Sequence, residues 1–462
     1  MKLKIIAFIL FSILIVSTKA ESYKIKLRLK NTKDTSVYLA HYYDGKVFSI
    51  DTTSIKPNGK AIFSKNKKLP SGLYLIYLPS RKYFEVFIGK DQTLTISSDM
   101  MNIQNSLKIK GSIESIYFRE YQSFLEEKTK ERKNIIEKDD KTEFNNKMKF
   151  INTEMQKYIK NISTELPNTS LSSFVNFTIS PETPDYDKII DHNIENRKDS
   201  IAILSYFYNK KHYWDNANLS DSTLLRTPIF KSKLDNYFNN TLILHPDTIT
   251  NASNMLIESA RGNKEMFRYL CSYCFNYSLD SKIMGMDRAF YNIANKYYLS
   301  NDVYWLTDST RNKIREKVLK LQYNLIGNKA RDIKLQTIDG ELTSLYTTDA
   351  NLTLMVFWEP NCGHCKKEMP QLKTEILEKY ADKGLKVFAV NIQNNKAEWN
   401  KFVEDHELFD FINCNDPKNT SNFRFYYNID STPMLYLLDK NKKIIAKKIN
   451  INTLSKIIKS KI

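Results

Sequence analysis

The sequence predicts a multidomain protein: an N-terminal antiparallel β-sandwich, a central α-helical domain and a C-terminal α/β domain. Three observations carry that prediction. Residues 21–110 hold short β-rich runs separated by turn signals, residues 111–326 change to apolar residues spaced three and four apart, and residues 327–462 alternate strand-like with helix-like runs. A length of 462 residues is also more than one hydrophobic core organises.

A leader precedes these regions. Lys2 and Lys4 stand before an apolar run over 5–16, and Thr18, Lys19 and Ala20 end in a small residue at the cleavage position. This is the pattern of a signal peptide over 1–20, cut after Ala20, which sends the mature chain to the periplasm or cell envelope. No later stretch is long and apolar enough to span a bilayer.

In the β-rich region, Ile25, Leu27 and Leu29 alternate with Lys26, Arg28 and Lys30, the period of a half-buried strand. Turn signals at Asp44 and Gly45, at Pro57 to Gly59 and at Ser71 and Gly72 separate runs over 37–41, 47–50, 61–64, 73–78, 84–88 and 94–97. Short strands punctuated in this way predict a sandwich. Tyr42, Tyr43, Tyr74, Tyr77, Tyr83 and Phe84 sit at strand spacing, which fits core and cross-strand packing better than a binding face.

In the helical region, Phe144, Met148, Ile151, Met155, Ile159 and Ile162 mark one apolar stripe on a long helix that Pro167 ends. Further helices are predicted over 228–238, 248–261, 264–277, 286–298 and 311–326, the last with Gly327 as its C-terminal cap. Cys271 and Cys274 fall in mid-helix on an apolar face, where a disulfide has poor geometry. They read as two packed thiols rather than an auxiliary redox pair. The last region opens with a hairpin over 333–345 and continues through strands over 352–358, 385–391 and 409–413, with helices between them. A strand over 434–438 follows Thr432 and Pro433, and single Cys414 reads as a packed thiol at a strand end.

The full chain carries a formal net charge of +18, and loss of the leader removes three lysines from it. Lysine is spread along the whole length with no basic cluster interleaved with aromatics, so nucleic acid is not an expected partner. Five cysteines are too few and too scattered for a disulfide-stapled scaffold.

Two of those cysteines carry the chemistry. The run 352–356, rich in large apolar residues, reads as a buried strand, and a helix-compatible stretch follows Cys362. A thiol at the first turn of a helix faces unpaired backbone N–H groups and the positive end of the helix dipole, which stabilise the thiolate. Cys365 lies one turn deeper. The spacing suits attack on a partner's disulfide by Cys362 and resolution of the mixed disulfide by Cys365, and neither step needs a metal or cofactor.

On these residues the C-terminal region resembles the thioredoxin fold, and within it the TlpA and ResA branch of exported thiol-disulfide oxidoreductases. The marks are Gly327 with its hairpin, Phe357 and Trp358, the Cys362 to Cys365 motif, Glu368, Met369 and Pro370 after it, Thr432 with Pro433, and Leu438 with Asp439. The preceding regions are similar to the N-terminal domains of secreted Bacteroidetes proteins of this type, on the order of regions and residues 281–286. The resemblance implies that Pro433 is cis, that Trp358, Thr432 and Pro433 form the substrate side of the site, and that Pro370 bends the active-site helix. It also implies that Glu368 takes the proton of the resolving thiol; the plainer reading is a surface glutamate paired with Lys366 or Lys367. Protein thiols and disulfides would be the substrates, with a membrane electron donor or acceptor behind them.

Four residues depart from the branch. His364 gives the Gly-His dipeptide of protein disulfide isomerases; an imidazole beside the Cys362 thiolate stabilises it and raises the potential toward about −180 mV. Glu359 replaces a small residue, and its charge opposes the thiolate. Asn361 stands where Trp is frequent, and Val356 where thioredoxin has a buried acid. A peroxidase would need Thr or Ser at position 359 and Pro at 355, which hold Glu and Met. The rival to an enzyme is a non-enzymatic envelope binding or redox-sensing protein that works through its N-terminal domains.

Overall fold

The computed structural model describes residues 22–138 and 141–461, so the leader expected over 1–20 lies outside the described residues. The chain divides into two compact units, Met1–Tyr237 and Phe238–Ile462. The helical region contributes to both.

In the first unit, β1 (Tyr23–Lys30), β2 (Ser36–Tyr43), β3 (Lys46–Ser54), β4 (Lys60–Lys65), β5 (Gly72–Tyr77), β6 (Tyr83–Ile88), β7 (Thr93–Asp99) and β8 (Lys108–Lys110) make two sheets. Their orders are β4-β1-β7-β8 and β3-β2-β5-β6. Tyr23, Ile25, Leu27 and Leu29 of β1 point inward and the residues between them outward, as the alternation predicts. Ile25, Leu27 and Phe63 of the first sheet share a core with Leu39, Ile76 and Val86 of the second, which makes the pair a sandwich. Tyr74 and Phe84 are core residues, whereas Tyr83 is exposed.

One pairing corrects the antiparallel expectation: β1 and β7 run parallel, with Ile25 opposite Leu94 and Leu27 opposite Ile96. Turn signals report only strands adjacent in sequence. A parallel pair closes over a long crossover, here one that includes the whole second sheet.

Helix Lys141–Glu165 buries Ile151, Ile159 and Ile162 along the predicted stripe, and Pro167 stands just past its end. Helices Ile113–Lys138 and Arg197–His212 are not among those the spacing predicts. The second has no buried residue, hence no apolar stripe to read.

The second unit opens with helices Pro246–Ser259, Lys264–Asp280, Asp287–Ile293 and Asp308–Leu321. The last stops five residues before the expected end, so Gly327 does not cap it. The Gly327 N–H instead donates to the carbonyl of Ile444 at 2.7 Å, with φ at +88°, and starts the approach to a sheet edge.

That sheet has seven strands: β9 (Lys334–Thr337), β10 (Leu342–Ser344), β11 (Leu352–Trp358), β12 (Leu385–Asn391), β13 (Ile412–Asn415), β14 (Met434–Asp439) and β15 (Ile444–Lys447). Their order is β10-β9-β13-β12-β11-β14-β15, with β11 parallel to β12 and antiparallel to β14. Every residue of central β11 is buried, the mark of a strand covered on both faces. Leu354, Val356 and Trp358 face a core that includes Met369, Leu372, Trp399 and Phe402. Met355 and Phe357 face the opposite core, with Phe388, Tyr427 and Tyr436.

The sheet is tied to the helices of its own unit by a buried cation. Lys447 Nζ pairs with Asp287 and donates to Asn324 Oδ1 at 2.8 Å, and Asn324 Nδ2 donates to the Tyr426 carbonyl at 3.0 Å. Burial pulls the Lys447 amine down, and the Asp287 carboxylate opposes it. Among the described residues no helix is long and apolar enough to cross a membrane.

Candidate active site

Parallel strands β11 and β12 end at Trp358 and Asn391, opposite each other in register, and the site is built where their carboxyl ends open. The chain leaves β11, turns through residues 359–362 with the Cys362 N–H on the Glu359 carbonyl at 3.3 Å, and enters helix Gly363–Gln371. Cys362 is the N-cap of that helix. Its sulfur takes the N–H of Cys365 at 3.4 Å, the position where Ser or Asp usually caps.

The two sulfurs have unequal surroundings. Cys362 is half-buried, while Cys365 is fully buried. Partial burial pushes the Cys362 thiol up, but hydrogen bonds from the Thr432 side chain, from the backbone N–H groups of Cys365 and His364 and from the Cys365 thiol outweigh it. The group is held below the ordinary thiol value. Burial pushes Cys365 up to about 12. When protonated, the Cys362 thiol donates to the Thr432 carbonyl at 3.2 Å.

Thr432 comes from the loop before β14, and its peptide bond to Pro433 is cis. Both residues are partly exposed beside the cysteines. The Thr432 hydroxyl donates to Glu359 Oε1 at 2.9 Å, and Gln393 Nε2 donates to Glu359 Oε2 at 2.6 Å. Gln393 is fixed in turn by Asn391, whose side chain accepts the Gln393 N–H and donates to its carbonyl, both at 3.1 Å. Asn361 donates to Glu398 Oε2 at 2.6 Å across the mouth of the site.

Glu368 lies one turn after His364 on the same helix and is partly buried. Burial raises its carboxyl above the ordinary value, and the nearby His364 opposes that rise. The His364 ring is exposed. It is the backbone N–H of His364 that faces the Cys362 sulfur. Pro370 sits inside the helix, which widens into a π-helical turn over Leu372–Leu377 immediately afterwards.

Trp358 is not on the substrate side. It is 0% exposed and packs on the Phe402 ring, centroids 4.9 Å apart, so it supports the turn from below. Its position as the last residue of a strand buried on both faces explains this. The sequence also gave no sign of Gln393. The signal that finds it is topological: residues just past the carboxyl end of the parallel strand next to β11 face the same opening.

Elsewhere, Cys271 and Cys274 lie fully buried in helix Lys264–Asp280, and burial pushes both thiols up, Cys274 to about 12. Cys414 is buried in β13 and donates to the Ala389 carbonyl at 3.5 Å. Among the described residues no group of three or more His, Cys, Asp or Glu is placed to hold a metal ion.

Two free thiols at a strand-to-helix turn, one accessible and one buried, facing a cis-proline, define a dithiol exchange site. Residues 326–447 match the model of the AhpC/TSA family, and residues 193–324 and 23–116 match two domains of unknown function, DUF5106 and DUF4369. The thioredoxin-like protein YneN of Bacillus subtilis is 32% identical over 133 residues, covering 28% of this chain and 74% of that protein. The thiol-disulfide oxidoreductase ResA of Geobacillus thermodenitrificans is 29% identical over 131 residues, covering 28% of this chain and 72% of that protein. Among solved structures, a domain of a possible thiol-disulfide isomerase from Cytophaga hutchinsonii is 38% identical, covering 29% of this chain and 92% of that one, with a TM-score of 0.28. The chain belongs to the thioredoxin-like thiol-disulfide oxidoreductases, and thiol-disulfide oxidoreduction is its activity.

Proposed function

We propose that this is an exported oxidoreductase that exchanges electrons with protein disulfides through Cys362 and Cys365. The Cys362 thiolate attacks one sulfur of a substrate disulfide; the new bond joins Cys362 to that sulfur, and the other substrate sulfur leaves as a thiolate. Cys365 then gives its proton to Glu368 and attacks Cys362. The second substrate thiolate is released, and the Cys362–Cys365 disulfide holds the oxidised state. Two electrons have passed to the substrate, and the same steps run backwards when the oxidised pair meets a dithiol.

The observation that supports this reading is the unequal setting of the two sulfurs, a capped and half-buried Cys362 held acidic beside a fully buried Cys365 held protonated. Glu368 suits proton transfer because its carboxyl is raised by burial and lies on the helix that carries both thiols. Thr432 and Pro433 would receive the backbone of the substrate next to Cys362. Export rests on the leader over 1–20, and the domain borders near residues 110 and 326 on the changes of pattern there. A membrane electron donor or acceptor would reset the pair.

Trapping tests the reading. Cys365→Ser removes the resolving thiol, so Cys362 is expected to remain joined to its substrates as mixed disulfides that reductant releases. Loss of those adducts in the Cys362→Ser, Cys365→Ser double variant is part of the expectation. Adducts that persist without Cys362, or none from Cys365→Ser, would overturn it.

A further inference from the structure

The Thr432 hydroxyl has one proton and three acceptors within reach: Glu359 Oε1 at 2.9 Å, and the sulfurs of Cys362 and Cys365. The carboxylate competes with the sulfurs for that proton. Its second oxygen is occupied by Gln393 at 2.6 Å, and Gln393 is fixed by Asn391, so Glu359 cannot swing away without breaking bonds on both sides. We propose that Glu359 is a positioning residue for the exchange reaction: by drawing the Thr432 proton toward its own oxygen it weakens the bond which that proton makes to the Cys362 sulfur, and so keeps the Cys362 thiolate less stabilised and the pair more reducing.

The inference rests on the reading of Cys362 as the attacking thiol and adds a control on it. A thiolate that accepts a hydroxyl hydrogen bond is more stable than one that does not, and a stabler reduced form makes a stronger oxidant. The Glu359 charge acts in the same direction, since a neighbouring carboxylate disfavours a second anion. The other titratable groups around the site are His364 and Glu368 on the active-site helix and Glu398, which Asn361 holds. Thr432 and Gln393 are the neutral groups that face Glu359 from the other two elements. The backbone N–H of His364 and the Glu359 carboxylate thus pull the pair in opposite directions, and the Thr432 hydroxyl carries part of the Glu359 effect.

The test is a double-mutant cycle on the reduced full-length chain, read as the pH dependence of Cys362 alkylation by iodoacetamide. Glu359→Ala is expected to raise the thiolate fraction at pH 6 roughly three- to tenfold. Thr432→Val is expected to lower the thiolate fraction less while Glu359 is present than in the Glu359→Ala background, where it reverses part of the gain. That coupling is the signature. Glu359→Gln keeps an oxygen for the Thr432 proton without the charge, so it should give a smaller rise, and as an isostere it is the variant to use if Glu359→Ala does not fold. Equilibration with glutathione should shift in the same order, toward a more oxidising pair. Equal effects of Thr432→Val in both backgrounds, or an unmoved profile in Glu359→Ala and Glu359→Gln, would overturn the proposal. A wild-type Cys362 that alkylates slowly at every pH below 8 would instead sink the reading of Cys362 as nucleophile.

Discussion

Two pairs of cysteines with the same spacing lie in the second unit, and they have opposite characters. Cys362 and Cys365 start a helix at the end of a strand; Cys271 and Cys274 lie within helix Lys264–Asp280. At the first pair the backbone N–H groups of the opening turn are unpaired and one of them meets a sulfur. At the second, the backbone N–H groups lie in mid-helix and serve the helix itself, and burial is the largest influence on both thiols, outweighing the Ser253 hydrogen bond to Cys274. Spacing therefore sets only how close two sulfurs can come. Their place along the helix sets whether either one ionises.

The largest expected effect breaks the comparison most directly. Cys362→Ser should abolish reduction of insulin disulfides, because no other accessible thiol stands at a helix start. Cys271→Ala with Cys274→Ala should leave turnover unchanged, at a cost in stability of about 1 kcal/mol for each sulfur removed from the core. Turnover lost in the second variant while its melting curve stays cooperative would place redox chemistry in the helical region.

A middling effect concerns alkaline pH. Cys274 is pushed up to about 12 in the fold, against about 8.5 for an unfolded thiol, and Cys271 moves the same way. Between those values the unfolded chain releases a proton that the folded chain keeps, so the stability these thiols contribute is full below pH 8.5 and is lost as pH rises toward 12. Cys365 adds to the same loss. Cys362, held low, has the opposite sign: its contribution is present above its unfolded value and fades as pH falls through its folded one. Urea titrations at rising pH should show a shallower alkaline decline in Cys271→Ala with Cys274→Ala than in the natural chain, and a decline of equal slope would contradict the burial of that pair.

Much of this was legible in the sequence for one reason: the signals are local. The alternation in β1, the apolar run of β11, the N-cap position of Cys362 and the stripe of helix Lys141–Glu165 each depend on residues within a turn or a strand length. What was not legible depends on distant partners. The parallel pairing of β1 with β7 joins residues some seventy apart along the chain. The early stop of helix Asp308–Leu321 reflects Asn324 anchored to Lys447 and Tyr426. The engagement of Glu359 by Thr432 and Gln393 brings together three strand ends. A pattern in sequence gives the residue type at 359, and the fold gives it partners.

The smallest expected effect sharpens the contrast between the pairs. Gly363 and His364 separate the first two cysteines, Ser272 and Tyr273 the second two, and the glycine is the obvious suspect for the difference. The geometry removes it from suspicion: a Cβ at Gly363 meets no atom within 4 Å, and Gly363 is not among the residues with positive φ. Gly363→Ala should therefore keep turnover within about twofold, and stability should change by less than about 1 kcal/mol, with the better helix former favouring the fold. Thermal melting and insulin reduction measure both. A large loss of turnover in this variant would mean that room for the substrate above the first helical turn, rather than the unpaired N–H groups there, is what separates a reactive pair from a buried one.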